Sequence, residues 1–200
     1  MNVQKVFDTI QPIFEKYQHE EHVEFEMRLG KFNCGIFDTD VSKEKFEFMM
    51  DGLKKYTGWE KILSTNEEVY YRENDNLRIS IDEDAETETI IHKEVIHKEN
   101  FSKLKNTPYD LRFSVSREIP VEQYDGEMDK KKTKERTSFI RKNLSIDLTI
   151  VTGESEDMDS EEATTYQVEF EIIDPKRVED DEKLFNIIHK VKDLFDMFKS

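Results

Sequence analysis

Most strand-like runs in this chain keep one face wholly polar, and that face carries Arg, Ser, Asp, Thr and Glu. Side chains alternate along a strand. Glu24, Glu26 and Arg28 therefore share a side opposite Val23, Phe25, Met27 and Leu29. Arg78, Ser80 and Asp82 oppose Leu77, Ile79 and Ile81. Arg112, Ser114, Ser116 and Glu118 oppose Leu111, Phe113 and Val115; Arg136 and Ser138 oppose Thr137 and Phe139. Ser145, Asp147 and Thr149 oppose Leu144, Ile146, Leu148 and Ile150, and Gln167, Glu169 and Glu171 oppose Val168, Phe170 and Ile172. A solvated face usually mixes Lys with Glu. A recurrent Arg/Ser/Asp/Thr/Glu set suits a packed polar interior better.

Two arrangements satisfy this pattern. Either the apolar faces meet in a core and the polar faces meet water, or the sheet closes into a barrel lined by the polar faces. The second needs something apolar outside. Three amphipathic helices are available, over 3–18, 43–56 and 179–198, and each needs a surface to dock on. The expected division has Pro12 breaking or bending the first helix and Ser42 at the N-cap of the second. Between Lys61 and Val151 the runs EEVYYR, NLRISID, TETIIHKEVIHKE, DLRFSVSREI, KERTSFIRK and LSIDLTIV read as an antiparallel meander. YDGEMDKKKTKE reads as a polar hairpin loop and TGESEDMDSEEATT as an acidic, mobile one. An eight-stranded barrel holds side chains plus one small ligand.

VEFE occurs twice, at 23–26 and 168–171. In the barrel arrangement its four glutamates converge. Two carboxylates about 5 Å apart at an effective dielectric near 20 repel by roughly 3 kcal/mol, so such a cluster protonates or binds a cation. All-oxygen ligands favour Mg²⁺ or Mn²⁺ over zinc. Arg and Lys on adjacent strands would grip phosphate oxygens, Arg in bidentate fashion. This chemistry points to a phosphoanhydride.

Charge narrows the partners. The formal net charge is −16, which argues against a sleeve that grips nucleic acid by phosphate neutralisation alone. A polyanion must be met locally or through metal. Cys34 is the one cysteine, so no internal disulfide forms; the reading is an intracellular, reducing compartment, cytoplasmic or nuclear. A secreted protein without disulfides would look the same. No apolar run approaches the roughly 18 residues that span a bilayer, and no membrane partner is expected. His92 and His97, five apart, are expected on opposite sides of a strand and unable to share a metal. The Lys130–Lys134 run reads as a solvated loop, or as a guide for RNA at a tunnel mouth. No Gly-rich phosphate loop, CxxC pair or HExxH is present.

VEFEMRLGK, DLRFSVSREIPV, KERTSFIRKNLSIDLT and YQVEFEI, in that order from His22 to Ile173, resemble the metal-dependent RNA 5′-triphosphatases of mRNA capping. These are the fungal and large-DNA-virus members of the triphosphate tunnel metalloenzymes. The resemblance implies an α+β fold: a closed eight-stranded antiparallel barrel with a polar tunnel, flanked by N-terminal, middle and C-terminal helices. It implies one tunnel domain over 1–200, alone or as the N-terminal domain of a larger capping enzyme. Glu24, Glu26, Glu169 and Glu171 take the metal-ligand positions, for Mg²⁺ or Mn²⁺. Arg28, Arg78, Lys93, Arg112, Lys134 and Arg136 take phosphate-binding positions. Glu118 takes that of the acid which orients or deprotonates the attacking water, and Asp147 backs the metal. Arg28 stands where Lys is common, Ser145 where some members have Arg, and Gln167 where some have a third glutamate. The implied substrate is the 5′-triphosphate end of nascent mRNA, with a guanylyltransferase as partner in cis or in trans. Inorganic triphosphate or free nucleotides are the near alternative, and a non-catalytic barrel that binds polyphosphate or a partner is the distant one.

Overall fold

In the computed structural model the described residues are all except 103, 105, 106, 154–162 and 198–200. Among the described residues, three α-helices, nine strands and one 3-10 turn follow one another: α1 (Val3–Tyr17), β1 (Val23–Asn33), β2 (Ile36–Asp38), α2 (Lys43–Lys55), β3 (Lys61–Arg72), β4 (Leu77–Asp82), β5 (Thr87–Phe101), β6 (Asp110–Pro120), β7 (Lys130–Arg141), β8 (Leu144–Gly153), β9 (Ala163–Ile172), the turn (Pro175–Arg177) and α3 (Asp181–Asp196). The sheet runs β2-β1-β6-β5-β4-β3-β7-β8-β9, and β9 pairs back onto β1 through Glu26–Glu171, Met27–Phe170 and Arg28–Glu169. Without the short outer β2, this is a closed antiparallel ring of eight. Closure removes every sheet edge but the one β2 occupies.

The ring is inside out relative to an ordinary barrel. Its apolar faces point outward, and Phe25, Met27, Phe113, Phe139, Ile146, Leu148 and Phe170 are buried there with Val6, Ile10 and Phe14 of α1, Phe46 and Met49 of α2, and Ile188, Val191 and Phe195 of α3. Phe14 meets Phe25 with ring centres 4.6 Å apart, and Phe7 of α1 meets Phe185 of α3 edge-on at 5.4 Å. Burying one such side chain is worth about 1.5–3 kcal/mol. The helix-to-wall layer is thus the core. The buried polar residues (Glu26, Ser114, Ser116, Ser145, Asp147, Thr149, Glu169) all belong to the inward faces.

Several local expectations are corrected. Pro12 does not divide α1, which runs unbroken from Val3 to Tyr17 around it; the α1 stripe of Val3, Val6, Ile10 and Phe14 docked on the wall outweighs the lost backbone bond. Ser42 stands at the N-cap of α2, but its side chain makes no cap bond and its φ is +64°. The stretch expected as a hairpin loop is not one. Residues 121–129 cross from β6 to β7, which are not neighbours, past β5, β4 and β3, and Lys130–Glu135 already belong to β7. Val121 N donates to Ile90 O and Asp129 N to Tyr71 O, anchoring both ends of that crossing. The meander is therefore two: β3–β4–β5–β6 and β7–β8–β9. The acidic segment expected to be mobile falls largely outside the described residues.

Candidate active site

The site is built where the inward faces of all eight strands meet. Cross-strand registers, with the stagger of a tilted barrel, set these residues in levels. The floor is acidic: Glu24, Glu67, Glu118, Asp147 and Glu171, with Arg136 between it and the level above. The middle level holds Glu26 and Glu169 with Arg78, Lys93 and Lys134. Above lie Arg28, Tyr71, Lys132 and Gln167, and at the mouth Lys98 and Arg112. A cavity of about 320 Å³ occupies the middle and upper levels, and eight of the twelve expected residues line it: Glu26, Arg28, Arg78, Lys93, Arg112, Lys134, Arg136 and Glu169. Glu24, Glu118, Asp147 and Glu171 sit below that lining.

The carboxylates are tied to the cations one level away. Arg28 Nη2 lies 2.9 Å from Glu26 Oε2, and Arg28 Nε 3.0 Å from Glu169 Oε1. Lys93 Nζ donates to Glu24 Oε2, and at 2.9 Å to Glu118 Oε1. Arg78 Nη2 donates to that same Glu118 oxygen at 2.8 Å. Ser116 donates to Glu24 at 2.8 Å, and Ser145 to Asp147 at 2.5 Å.

The titrations divide the acids. Burial raises Glu171, seconded by Glu24 and Asp147, to about 8. Burial also raises Glu26, partly offset by Arg28 and reinforced by Glu169. For Glu118 burial is outweighed by Arg78 and Lys93, which hold it below its ordinary value. Glu169 is lowered because Arg28, Arg136 and Lys134 outweigh its burial. Burial, with Arg78 and Arg136 nearby, drops Lys134 to about 8.

Both kinds of missing partner have a chemical reading. Glu26 and Glu171 are directly paired across β1 and β9, and both are pushed towards protonation, which is the condition of a carboxylate cluster suited to a hard cation. Among the described residues no three such groups converge on one point as they stand; Arg28 and Lys93 currently hold Glu26, Glu169 and Glu24. The donor set fits Mg²⁺ or Mn²⁺ in type. On the other side, Arg78 Nε, Arg136 Nε and Thr149 Oγ1 are buried without a hydrogen-bond partner among the described residues. Buried donors of this kind call for an anion.

The family described as mRNA capping enzyme, beta chain, the mRNA triphosphatases, matches residues 60–199. The chain belongs to that family. RNA 5′-triphosphatase activity in mRNA capping is the activity this membership assigns. No curated protein matches by sequence. The solved structure of the S. pombe Pct1 RNA triphosphatase shares the fold, with a TM-score of 0.79 at 17% identity over 96% of this chain and 91% of that one. Pct1 in complex with the Spt5 CTD superposes at 0.76, with the same identity and coverage. The triphosphatase tunnel of this chain is thus the eight-stranded ring just described.

Sequence reasoning left out Glu67 and Tyr71, read Lys132 as part of a solvated or RNA-guiding run, and did not set Lys98 beside Lys93. Glu67 and Tyr71 follow from strict alternation along EEVYYR, and Lys132 from β7 at its full length. Lys98 does not. The β5–β6 register shifts between Val95 and His97, a bulge that turns the rest of β5 over. Lys93 and Lys98, of opposite parity, consequently both line the cavity. The same bulge corrects the histidines: His92 pairs with Ile119 and His97 with Val115, so both face outward rather than to opposite sides. Cys34 is exposed at the β1–β2 turn.

Proposed function

We propose that this tunnel hydrolyses the γ-phosphate of triphosphate-ended RNA with a divalent cation, Mg²⁺ or Mn²⁺, held by Glu24, Glu26, Glu169 and Glu171. The observation that carries the reading is the stacking of an acid floor beneath a ring of cations, two of which, Arg78 and Arg136, keep a buried Nε without a partner among the described residues. Bound there, the cation would supply charge neutralisation and a Lewis acid for the phosphoryl oxygens. Arg78, Lys93, Lys134 and Arg136 bind the triphosphate oxygens and steady the charge that builds on the leaving diphosphate. Arg28 and Arg112 hold phosphate nearer the mouth. Asp147, paired directly with Glu169 across β8 and β9, supports the floor electrostatically. Glu118 stays ionised, with one oxygen fixed by Arg78 and Lys93, and its other oxygen orients the attacking water. A bond forms from the water oxygen to the γ-phosphorus as the bridge to the β-phosphate breaks; the electron pair leaves on the diphosphate and the water proton passes out with the phosphate released. Positioning and preorganised charge supply most of the acceleration.

The product is a 5′-diphosphate end, the substrate a guanylyltransferase consumes, in cis or in trans. The domain spans 1–200, alone or as the N-terminal part of a larger capping enzyme, in a reducing compartment of the cell.

Phosphate release from γ-labelled triphosphate RNA, with and without Mg²⁺ or Mn²⁺, is the test. Release that needs the cation, and that falls on the order of 10²-fold or more in Glu24→Gln and Glu169→Gln, supports the reading. Undiminished release in chelator overturns the metal dependence. No release from RNA at all, with inorganic triphosphate still cleaved, overturns the substrate.

A further inference from the structure

The tunnel is not symmetric end to end. Below the middle level its lining is carboxylate; above it, cationic. Lys98, Lys132 and Arg112 ring the upper opening, and among the described residues none of the three forms an ion pair. Arg112 is instead held by neutral partners. Its Nε donates to Asn100 at 2.8 Å, and its guanidinium lies 4.3 Å from the centre of the Phe37 ring on β2. Lys132 Nζ sits 5.8 Å from the ring centre of Tyr71. These contacts aim the cations without neutralising them. Of the cations deeper in the tunnel, Lys93, Arg78 and Arg28 are already matched to carboxylates, while buried Lys134 and Arg136 face the triphosphate position itself. Two structural features mark this opening: the bulge that swings Lys98 inward, and the extra strand β2 beneath Arg112. Bulges next to active sites commonly re-aim a side chain in this way. Arg112 is depressed by burial and by Arg28, which fits a surplus of positive charge at this end.

We propose that Lys98 and Lys132, beside Arg112, form a second phosphate subsite at the upper mouth, for the phosphodiester that follows the first nucleoside of the RNA. This rests on the triphosphatase reading of the tunnel floor and deepens it. With the triphosphate seated at the middle level, the chain leaves upward past these cations, because the acid floor repels a polyanion at the other end. A free nucleoside triphosphate has no phosphodiester to place there. The subsite therefore selects polynucleotide ends over free nucleotides. It also explains how a chain with net charge −16 holds RNA: the grip is local, a few phosphates wide.

The test uses the full chain and three substrates: ATP, the triphosphate dinucleotide that adds one phosphodiester and one nucleoside to ATP, and a longer triphosphate RNA. In the wild type kcat/KM should rise at least tenfold from ATP to the dinucleotide. Lys98→Ala with Lys132→Ala should abolish that rise and leave ATP hydrolysis within about twofold. The salt dependence on the longer RNA should also become shallower, by about 0.7 in log–log slope for each phosphate no longer neutralised. Both lysines are exposed, and an ATP rate held at the wild-type level reports intact folding. A parallel fall on ATP and RNA, or no fall on either, overturns the subsite and leaves the triphosphatase reading standing. A wild type that cleaves ATP and not RNA overturns both.

Discussion

Lys134 has the most informative titration among the tunnel residues. It is buried among Arg78 and Arg136, and its ammonium is lost at about pH 8 instead of 10.5. In the free enzyme that charge grips phosphate, so kcat/KM should fall as pH rises through about 8. Lys134→Arg cannot be deprotonated in this range, and should carry the fall to higher pH; an unmoved profile would assign it to another group. The stability effect has the opposite sense. Between about pH 8 and 10.5 the unfolded chain binds a proton that the native one lacks, so this group makes the protein more stable as pH rises across that window. At this scale the sequence was legible wherever alternation held: Glu24, Glu26, Arg78, Arg136, Glu169 and Glu171 all face inward as the period-2 pattern requires. That Lys93 and Lys98 both face inward was not, because one extra residue in β5 inverts parity and nothing in KEVIHKEN announces it.

Elements divide the labour between wall and buttress. Phe113 of β6 is 1% exposed and packs outward, its ring centre 6.1 Å from that of Phe25. Phe113→Ala should cost about 3–5 kcal/mol, read as a lower urea midpoint at unchanged slope, and spare activity per folded molecule. Gly30 shows a different constraint on β1. A Cβ there would lie 2.2 Å from the Asp38 backbone oxygen, so Gly30→Ala must push β2 away, at about 1–3 kcal/mol. That should appear as a lower thermal midpoint; an unchanged one would mean β2 adjusts freely. β2 itself, three residues long, carries too little pattern to be read from sequence, and the crossing at 121–129 could not be told from a hairpin because turn chemistry does not say which strands it joins.

The whole molecule folds against a strained centre. Carboxylates on β1, β6, β8 and β9 are forced together by ring closure, and burial pushes Glu171 to about 8. A cation that binds only the native state should raise stability by about 2.7 kcal/mol at a hundred times its Kd, seen as a thermal midpoint a few degrees higher in Mn²⁺ than in chelator. The double variant Glu24→Gln, Glu171→Gln should be more stable than wild type in chelator and gain nothing from Mn²⁺. A wild-type midpoint indifferent to metal would speak against the floor as its site.

The strand pattern, the paired VEFE runs and the three amphipathic helices belonged to the sequence, since each is a local periodicity of the chain. They left open which face turned inward, because an alternating strand is equally amphipathic in a sandwich and in a tunnel. Closure of β9 onto β1 decided that. It set Glu26 against Glu171 across 145 residues of chain, gathered the cations into levels, and made one end of the tunnel acidic and the other basic. Those facts arise from strand order, stagger and one bulge, which are properties of pairings between distant segments and are written in no single stretch of residues.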